Sequence, residues 1–427
     1  MRTQKTTKDY SASQGFARLS QDAKTILEHF FWFGDHSRAQ LAAATGFSLT
    51  KVNSLVNTLS SAGWLEQGEV LESSGGRPSG SLRLNPKEAY LLCVDLGTHG
   101  AHVLVADSAL NVIARKNVPI NVVAGPDRVF AQITKTLSAL LAAQKIDPKR
   151  TLALGLGIPG PVDRRQHTPV QPPLMASWEH ADLAIALAKE FGAPAFVDND
   201  VNVMVLGELW NARRRFQAKG KARPEAEDWL LVKLGTGIGS AIVIQGKLYR
   251  GASGGAGEIG HVCVDPTGPI CRCGQRGCLE AVNGAAGMTR MATEAAKAAA
   301  SPFLARVLRD KNAISTLDIS HAAKEGDGYA NAIIQEMGTN LGKALAGFVD
   351  FLNPRKLLIG GGLSNMDPRL LAGIQQGIYG RAMPLMTRDL VIERTFLSSD
   401  AGIFGAGVLA FTELLAREHP QPATRNL

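Results

Sequence analysis

GEIGHVCVDPTGPICRCGQRGCLE, residues 257–280, is the stretch on which the reading of this chain turns. In it His261, Cys271, Cys273 and Cys278 follow one another as H-x9-C-x-C-x4-C. One imidazole and three thiolates make a closed tetrahedral zinc set. Soft sulfur ligands favour zinc over magnesium or calcium. Gly268, Gly274 and Gly277 let the chain fold tightly around an ion. No redox C-x-x-C pair is present. The spacing therefore predicts one structural zinc per chain, with a group of buried free cysteines as the alternative. Cys93 and Cys263 lie outside the pattern and read as core fillers.

Outward from this loop, the chain reads as strands alternating with helices. LLCVDLG (91–97), AHVLVAD (101–107), ALGLGIPG (153–160), PAFVDND (194–200), WLLVKLG (229–235), SAIVIQG (240–246) and KLLIGGG (356–362) are strand-like. Helical stretches cover 126–144, 329–352 and 402–416. Such alternation predicts an α/β fold with glycine-rich loops at strand ends, and no short-period repeat is visible. At 427 residues, two or three domains are expected. The polar start, MRTQKTTKDYSASQ, has no apolar core of the signal-peptide kind. No uninterrupted apolar run has the length of a membrane span. With five cysteines, an odd number, these features predict a cytoplasmic protein with reduced thiols and no membrane contact. The net charge of +8 is compatible with a polyanion partner without establishing one.

The N-terminal part reads differently. A disordered arm over 1–19 precedes purely helical sequence, and a turn-rich segment at 72–80 leads to a boundary at Asn85-Pro86. A first helix over 22–33 carries Ile26, Leu27, Phe30 and Phe31 on one stripe. A second, over 37–45, is capped by Ser37 and buries Leu41 and Ala42. After Gly46-Phe47-Ser48, a third helix over 49–62 turns Val52, Leu55, Val56 and Leu59 inward. Its other face shows Thr50, Lys51, Asn53, Ser54 and Asn57, side chains able to reach base edges and phosphates. Arg38 and Ser48 at the starts of the two helices join them as expected DNA contacts. Residues 64–71 and 81–84 can pair as a hairpin tipped by Gly75-Gly76-Arg77-Pro78, and Arg77 suits a minor groove or a phosphate. The pattern is a helix-turn-helix with a wing, against the alternative of a plain three-helix bundle. Residues 1–86 hold nine Lys/Arg against seven Asp/Glu, so specificity would rest on placed contacts rather than bulk charge. The run Arg213-Arg214-Arg215 with Lys219 and Lys221 reads as a solvated surface segment.

The stretch 37–86 and the signature at 257–280 together resemble the ROK family (repressors, open reading frames and kinases), over roughly residues 20–415. Regulators of that family include xylose and N-acetylglucosamine repressors. The resemblance implies a winged helix-turn-helix over 20–86, after the arm at 1–19. It implies an α/β two-lobed actin-like sugar-kinase (ribonuclease H-like) fold over 87–427. It places a structural zinc beside a sugar pocket formed by Asn199, Asp200, Glu258, His261 and Glu280. His261 can bind metal through one ring nitrogen and face a sugar oxygen with the other. In the family's kinases the residue matching Asp200 is the general base. LGTGIGS (234–240) and IGGGLS (359–364) fit the second phosphate loop and the adenosine loop. The first phosphate loop departs: where the kinases read D-x-G-G-T, Asp95-Leu96-Gly97 is followed by Thr98, His99 and Gly100. The family's Pro-Asn-Leu stretch reads Pro172-Pro173-Leu174, with Trp178 nearby. The resulting expectation is a carbohydrate-responsive repressor that binds double-stranded operator DNA as a homodimer or dimer of dimers. Asp200 would be a vestigial base, and ATP is not expected as a cofactor. The rival readings are an active sugar kinase carrying a DNA-binding module, and a scaffold answering to a sugar-transport protein.

Overall fold

A computed structural model describes residues 11–70, 80–98, 100–163, 166–170, 172, 175–218 and 227–417. The chain divides into two units, Met1–Pro224 with Gly402–Leu427, and Glu225–Ala401.

The first unit begins with a helical head. Helix α1 (Ala12–Ala17) starts at a capping box between Ser11 and Gln14. This corrects the expectation of a flexible arm over 1–19 for residues 12–17; residues 1–10 lie outside the described residues. Phe16 is 1% exposed and meets Trp64 and Phe411 edge-on, at 5.5 and 6.1 Å. Helix α2 (Gln21–Phe33) buries Ile26, Leu27, Phe30 and Phe31. Helix α3 (Arg38–Thr45) opens on a capping box of Ser37 and Gln40, and stops at Gly46 in the left-handed region, φ 73°. Helix α4 (Leu49–Ser61), capped by Ser48, seals Val52, Val56 and Leu59 inside. Ala42 and Leu55, expected in the core, are only half-buried. Strands β1 (Leu65–Val70) and β2 (Gly80–Leu84) pair antiparallel, Leu65 opposite Leu84 and Glu66 opposite Arg83. His36, between α2 and α3, adds a backbone bridge to Leu82. The expected tip, with Arg77, lies outside the described residues.

The same unit continues with β3 (Tyr90–Leu96), β4 (Gly100–Asp107), β5 (Val112–Pro119), α5 (Pro126–Ala143) and β6 (Thr151–Ile158). A small ribbon, β7 (Val162–Asp163) and β8 (Thr168–Pro169), precedes α6 (Leu183–Phe191), β9 (Ala195–Asn199) and α7 (Asp200–Ala218). The sheet order is β5-β4-β3-β6-β9. The first three strands are antiparallel, whereas β3, β6 and β9 run parallel. Strand β6 is buried at every residue, as its apolar run requires of a central strand. Trp178 is fully buried in this core and donates to the carbonyl of Val122 at 2.8 Å.

The second unit holds β10 (Trp229–Leu234), β11 (Ile238–Ile244), β12 (Lys247–Tyr249), α8 (Leu279–Asn283), α9 (Ala285–Lys297), α10 (Pro302–Lys311) and α11 (Thr316–Lys324). It closes with α12 (Gly328–Leu352), β13 (Lys356–Gly360), α13 (Pro368–Tyr379), α14 (Pro384–Thr387) and β14 (Val391–Arg394). Its sheet order is β12-β11-β10-β13-β14, with the same parallel and antiparallel pattern as the first. The two units thus repeat one topology, the duplication that the two-lobed expectation requires. Helices α12 and α13 touch backbone to backbone: a Cβ at Gly338, Gly342, Gly373 or Gly377 would collide with main-chain atoms of the facing helix. The contacts ascend together, Gly338 with Gly373 and Gly342 with Gly377, so the two helices run parallel.

Helix α15 (Ala401–Ala416) rejoins the first unit. Its segment 398–416 is long and apolar enough to cross a membrane by composition. Ala406, Val408, Leu409, Ala410 and Phe411 are nevertheless at most 2% exposed, which makes it a core helix. At Gly405 a Cβ would overlap the carbonyl of Val203, so α15 and α7 lie in direct backbone contact.

Candidate metal centre and ligand-contact residues

The loop 257–280 brings its four predicted ligands together. His261 ends a short 3-10 turn, Ile259–His261, and Cys278 stands just ahead of α8. Cys271 donates its backbone N–H to Gln275 at 2.7 Å, and bridges join Ile270 to Arg276 and Cys263 to Cys278. Gly277 has φ 71°, and a Cβ there would overlap the Asp265 carbonyl, so only glycine completes this turn. The four donor atoms all lie within 4.8 Å of one another. Cys273 Sγ is 3.7 Å from Cys278 Sγ, and Cys271 Sγ is 3.7 Å from His261 Nδ1. A tetrahedron with ordinary zinc–ligand bonds has S···S edges of about 3.8 Å and S···N edges of about 3.6 Å. Those two edges match, and the set could hold a metal ion.

The thiols also show what a cation would do here. Burial, reinforced by the Cys273 and Cys271 thiols, pushes Cys278 up to about 12. Burial raises Cys271 as well. Burial also acts on Cys273, but hydrogen bonds from the Gln275 N–H and the Cys271 thiol outweigh it and bring Cys273 below the usual thiol value. Three thiolates this close repel one another unless a positive ion sits between them. Among the described residues, this is the one His/Cys/Asp/Glu group of metal-binding geometry. Cys93 is fully buried, as a core filler should be, and burial raises its thiol pKa. Cys263 is a correction: it is exposed, because it stands on the irregular stretch between the 3-10 turn 259–261 and α8 rather than in a core helix or strand.

The predicted sugar contacts divide between the units, and each set is held by its own surroundings. In the first unit, Asn199 Oδ1 accepts from the backbone N–H of Val201 at 2.9 Å and caps the first turn of α7. Its Nδ2 donates to the Gly160 carbonyl at 3.0 Å. Asp200, the next residue, is 5% exposed, and Asn202 donates to Asp198 Oδ1 at 2.9 Å beside it. In the second unit, Glu258 is exposed at the start of the 3-10 turn that ends on His261. His261 turns Nδ1 to the sulfurs and keeps Nε2 for another partner. Glu280 Oε2 accepts the N–H of Ile238 at 3.0 Å. That carboxylate sits against the turn 235–237, where a Cβ on Gly237 would collide with it. A carboxylate thus already occupies one donor of the loop expected to cradle phosphate. In the first phosphate loop, Gly97 donates to the Gly100 carbonyl at 2.8 Å; His99 lies outside the described residues. Pro173 and Leu174 lie outside them too.

On the head, Ser48, Thr50, Lys51, Ser54 and Asn57 are exposed, and Asn53 and Arg38 are half-buried. Ser48 Oγ accepts the Lys51 N–H at 3.3 Å and so caps α4. Arg38 donates to Asn53 Oδ1 at 3.1 Å and to Asn57 Oδ1 at 2.9 Å. Both amide oxygens are thereby engaged from α3, and both NH2 groups keep their donors. Lys51 pairs with Asp22 at 2.8 Å and lies over the Phe47 ring at 4.0 Å. Asp22 and Phe47 were not foreseen, because ion pairs between helices leave no periodic mark.

The basic run 213–215 is a second correction. Only Arg215 is exposed. Arg213 lies over Trp32 at 4.2 Å, and Arg214 donates to the Phe30 carbonyl at 3.3 Å. Lys219 and Lys221 lie outside the described residues.

Comparison with known proteins agrees with this geometry. The ROK family profile matches residues 91–413. A glucokinase of Halalkalibacterium halodurans is 32% identical over 75% of this chain and 95% of its own length. The DNA-binding transcriptional dual regulator NagC of Escherichia coli is 28% identical over 87% of each chain. A crystal structure of a ROK family transcriptional regulator, a homologue of the E. coli Mlc protein, superposes with a TM-score of 0.75. It shares 26% identity over 92% of this chain and 96% of its own. The chain, a duplicated α/β protein with an N-terminal helical head and a His/Cys3 cluster, belongs to the ROK family.

Proposed function

We propose that this protein is a sugar-responsive regulator that binds double-stranded operator DNA through a winged helix-turn-helix, residues 20–86. The observation that carries the reading is the pair α3 and α4. They are joined through left-handed Gly46 and followed by an antiparallel ribbon. Helix α4 buries Val52, Val56 and Leu59 completely and turns Thr50, Lys51, Ser54 and Asn57 to solvent. Such a helix enters a major groove with its polar face toward base edges. Arg38 holds the Asn53 and Asn57 amides in place, so their NH2 groups are set to donate to base acceptors. Arg77 is the proposed phosphate or minor-groove contact. A two-fold operator calls for a homodimer.

The effector is a small sugar contacted by Asn199, Asp200, Glu258, His261 and Glu280. Carboxylates and amides suit adjacent hydroxyls. Zinc held by His261, Cys271, Cys273 and Cys278 would be structural, fixing the His261 ring so that Nε2 faces the ligand. The protein is cytoplasmic on this reading and performs no phosphoryl transfer. Phosphoryl transfer depends on placement, and Thr98 puts a Cβ where the family kinases carry a second glycine. The similarity to a glucokinase supports a second reading, an active sugar kinase with a DNA-binding module.

One experiment separates them. A duplex is selected from a random pool by the wild-type protein, and its binding is measured with and without glucose, xylose or N-acetylglucosamine. Asp200→Ala should keep sugar-free DNA binding and lose the sugar response. Sugar-dependent ATP consumption should stay at background. Robust turnover would install the kinase reading, and an unaltered response in Asp200→Ala would remove the pocket from consideration.

A further inference from the structure

The chain passes between the units twice, after Pro224 and before Gly402. The first crossing follows α7 and the second leads into α15. The same two helices form the seat of the head. Phe404 of α15 stacks on Trp210 of α7 at 5.8 Å. Trp210 donates its indole N–H to the Phe31 carbonyl at 3.0 Å. The Phe31 ring stacks on Phe411 at 4.0 Å, with planes 11° apart. One turn further along α7, Arg214 donates to the Phe30 carbonyl at 3.3 Å.

Those two carbonyls belong to the last turn of α2, where intrahelical donors run out; the Phe30 oxygen accepts the Gly34 N–H at 2.8 Å as well as Arg214. Trp210 and Arg214 therefore act as a C-terminal cap supplied from another part of the chain. A cation at this end also complements the helix dipole. Burial lowers the Arg214 pKa, opposed by the charges of Asp35 in the head and Asp107 at the end of β4. Asp200 is the first residue of the same helix. Ten and fourteen residues later, Trp210 and Arg214 lie about 15 and 21 Å along its axis.

We propose that α7 and α15 are the coupling element of this protein, and that Trp210 and Arg214 are the positioning residues that tie the head to the state of Asp200. The proposal rests on the sugar-responsive reading above. A sugar shifts an equilibrium only by binding two states unequally. A helix contacted by sugar at its first residue and capped onto the head fourteen residues later makes head orientation part of the state selected.

The test uses the full chain with Trp210→Phe, Arg214→Gln and Arg214→Lys. Three quantities are read: calorimetric affinity for glucose, xylose or N-acetylglucosamine, the sugar-induced change in affinity for the selected duplex, and hydrogen exchange of amides 21–61. Trp210→Phe keeps a ring and loses the donor; Arg214→Gln loses the cation. Both should keep wild-type sugar affinity, speed exchange across the head, and bring the sugar-induced change in DNA affinity from the usual coupling range of about 5–150-fold close to unity. Arg214→Lys should restore part of that change. Wild-type coupling and wild-type exchange in both variants would overturn the proposal while leaving the sugar reading intact. Sugar affinity falling in step with the response would also overturn it, as general damage. A wild-type protein answering none of the three sugars would overturn the sugar reading first, and the coupling role with it.

Discussion

Replacing Cys273 with serine tests the metal centre. The Cys273 and Cys278 sulfurs stand 3.7 Å apart, close to the tetrahedral edge of about 3.8 Å set by zinc–sulfur bonds. A serine oxygen sits about 0.4 Å nearer its Cβ than sulfur does, and the hydroxyl stays protonated at neutral pH. The variant therefore removes one of four ligand bonds and one of three thiolate charges. Structural zinc in small peptides contributes roughly 10–16 kcal/mol of apparent binding free energy. An equal quarter is about 2.5–4 kcal/mol, or roughly a 60-fold to 700-fold loss of affinity at 1.4 kcal/mol per decade. The assay is competition with a chromophoric chelator, alongside metal analysis of protein purified without chelator. The wild type should carry one zinc per chain, and Cys273→Ser should surrender it at chelator concentrations the wild type withstands. The first unit should keep its melting behaviour, since no ligand comes from it. Metal-free wild-type protein, or a variant affinity within about threefold of wild type, would refute the reasoning.

Two further outcomes follow from the head. Arg38→Ala releases the Asn53 and Asn57 amides, and affinity for the selected duplex should fall by about 1–3 kcal/mol with relaxed base preference; fluorescence anisotropy against single-base variants reads this, and unchanged preference would show that Arg38 does not orient the amides. Burial lowers the pKa of His36 below 6.5, opposed by its hydrogen bond to Gly34 and by Asp35, while Arg214 lowers it further. The unfolded head then binds more protons, so the stability contributed by neutral His36 is complete above pH 6.5 and is lost as pH falls through that value toward the lower folded one. Exchange of the α2 amides should accelerate over that window, and His36→Gln should flatten the dependence.

The sequence was most readable where chemistry demands fixed spacing. His261, Cys271, Cys273 and Cys278 converge because a metal leaves few other uses for that order of donors. Helices α2 to α4 and seven of the ten strands in the two large sheets were readable from their apolar patterns, and the cap at Ser37 marks one boundary, whereas the edge strands β5, β12 and β14 were missed because short or solvent-facing strands carry no apolar run. What escaped depends on distant partners. Helix α1 is too short for a period, and its single buried ring, Phe16, packs on Trp64 and Phe411. The run 213–215 looked solvated because the Phe30 carbonyl that receives Arg214 lies 184 residues away. The repeated strand order was hidden for the same reason: topology is a matter of pairing, and the two halves share it without a visible short repeat. Asn199 and Glu280 came from the family resemblance and their fitness for hydroxyls, neither of which announces the backbone partners that the structure shows for both.

The glycine contact between α12 and α13 has a genetic consequence. Every single-nucleotide missense change in a glycine codon installs a residue with a Cβ. At Gly338, Gly342, Gly373 and Gly377 that carbon would collide with the opposite main chain, which has no rotamer to yield. In a saturation library scored for function, these four codons should tolerate almost no missense change, whereas neighbours such as Gly347, with open space around it, should accept many. A screen for loss-of-function alleles would therefore accumulate hits on two helices that contain no proposed DNA, sugar or metal contact, and their clustering would trace the shape of the chain rather than its chemistry.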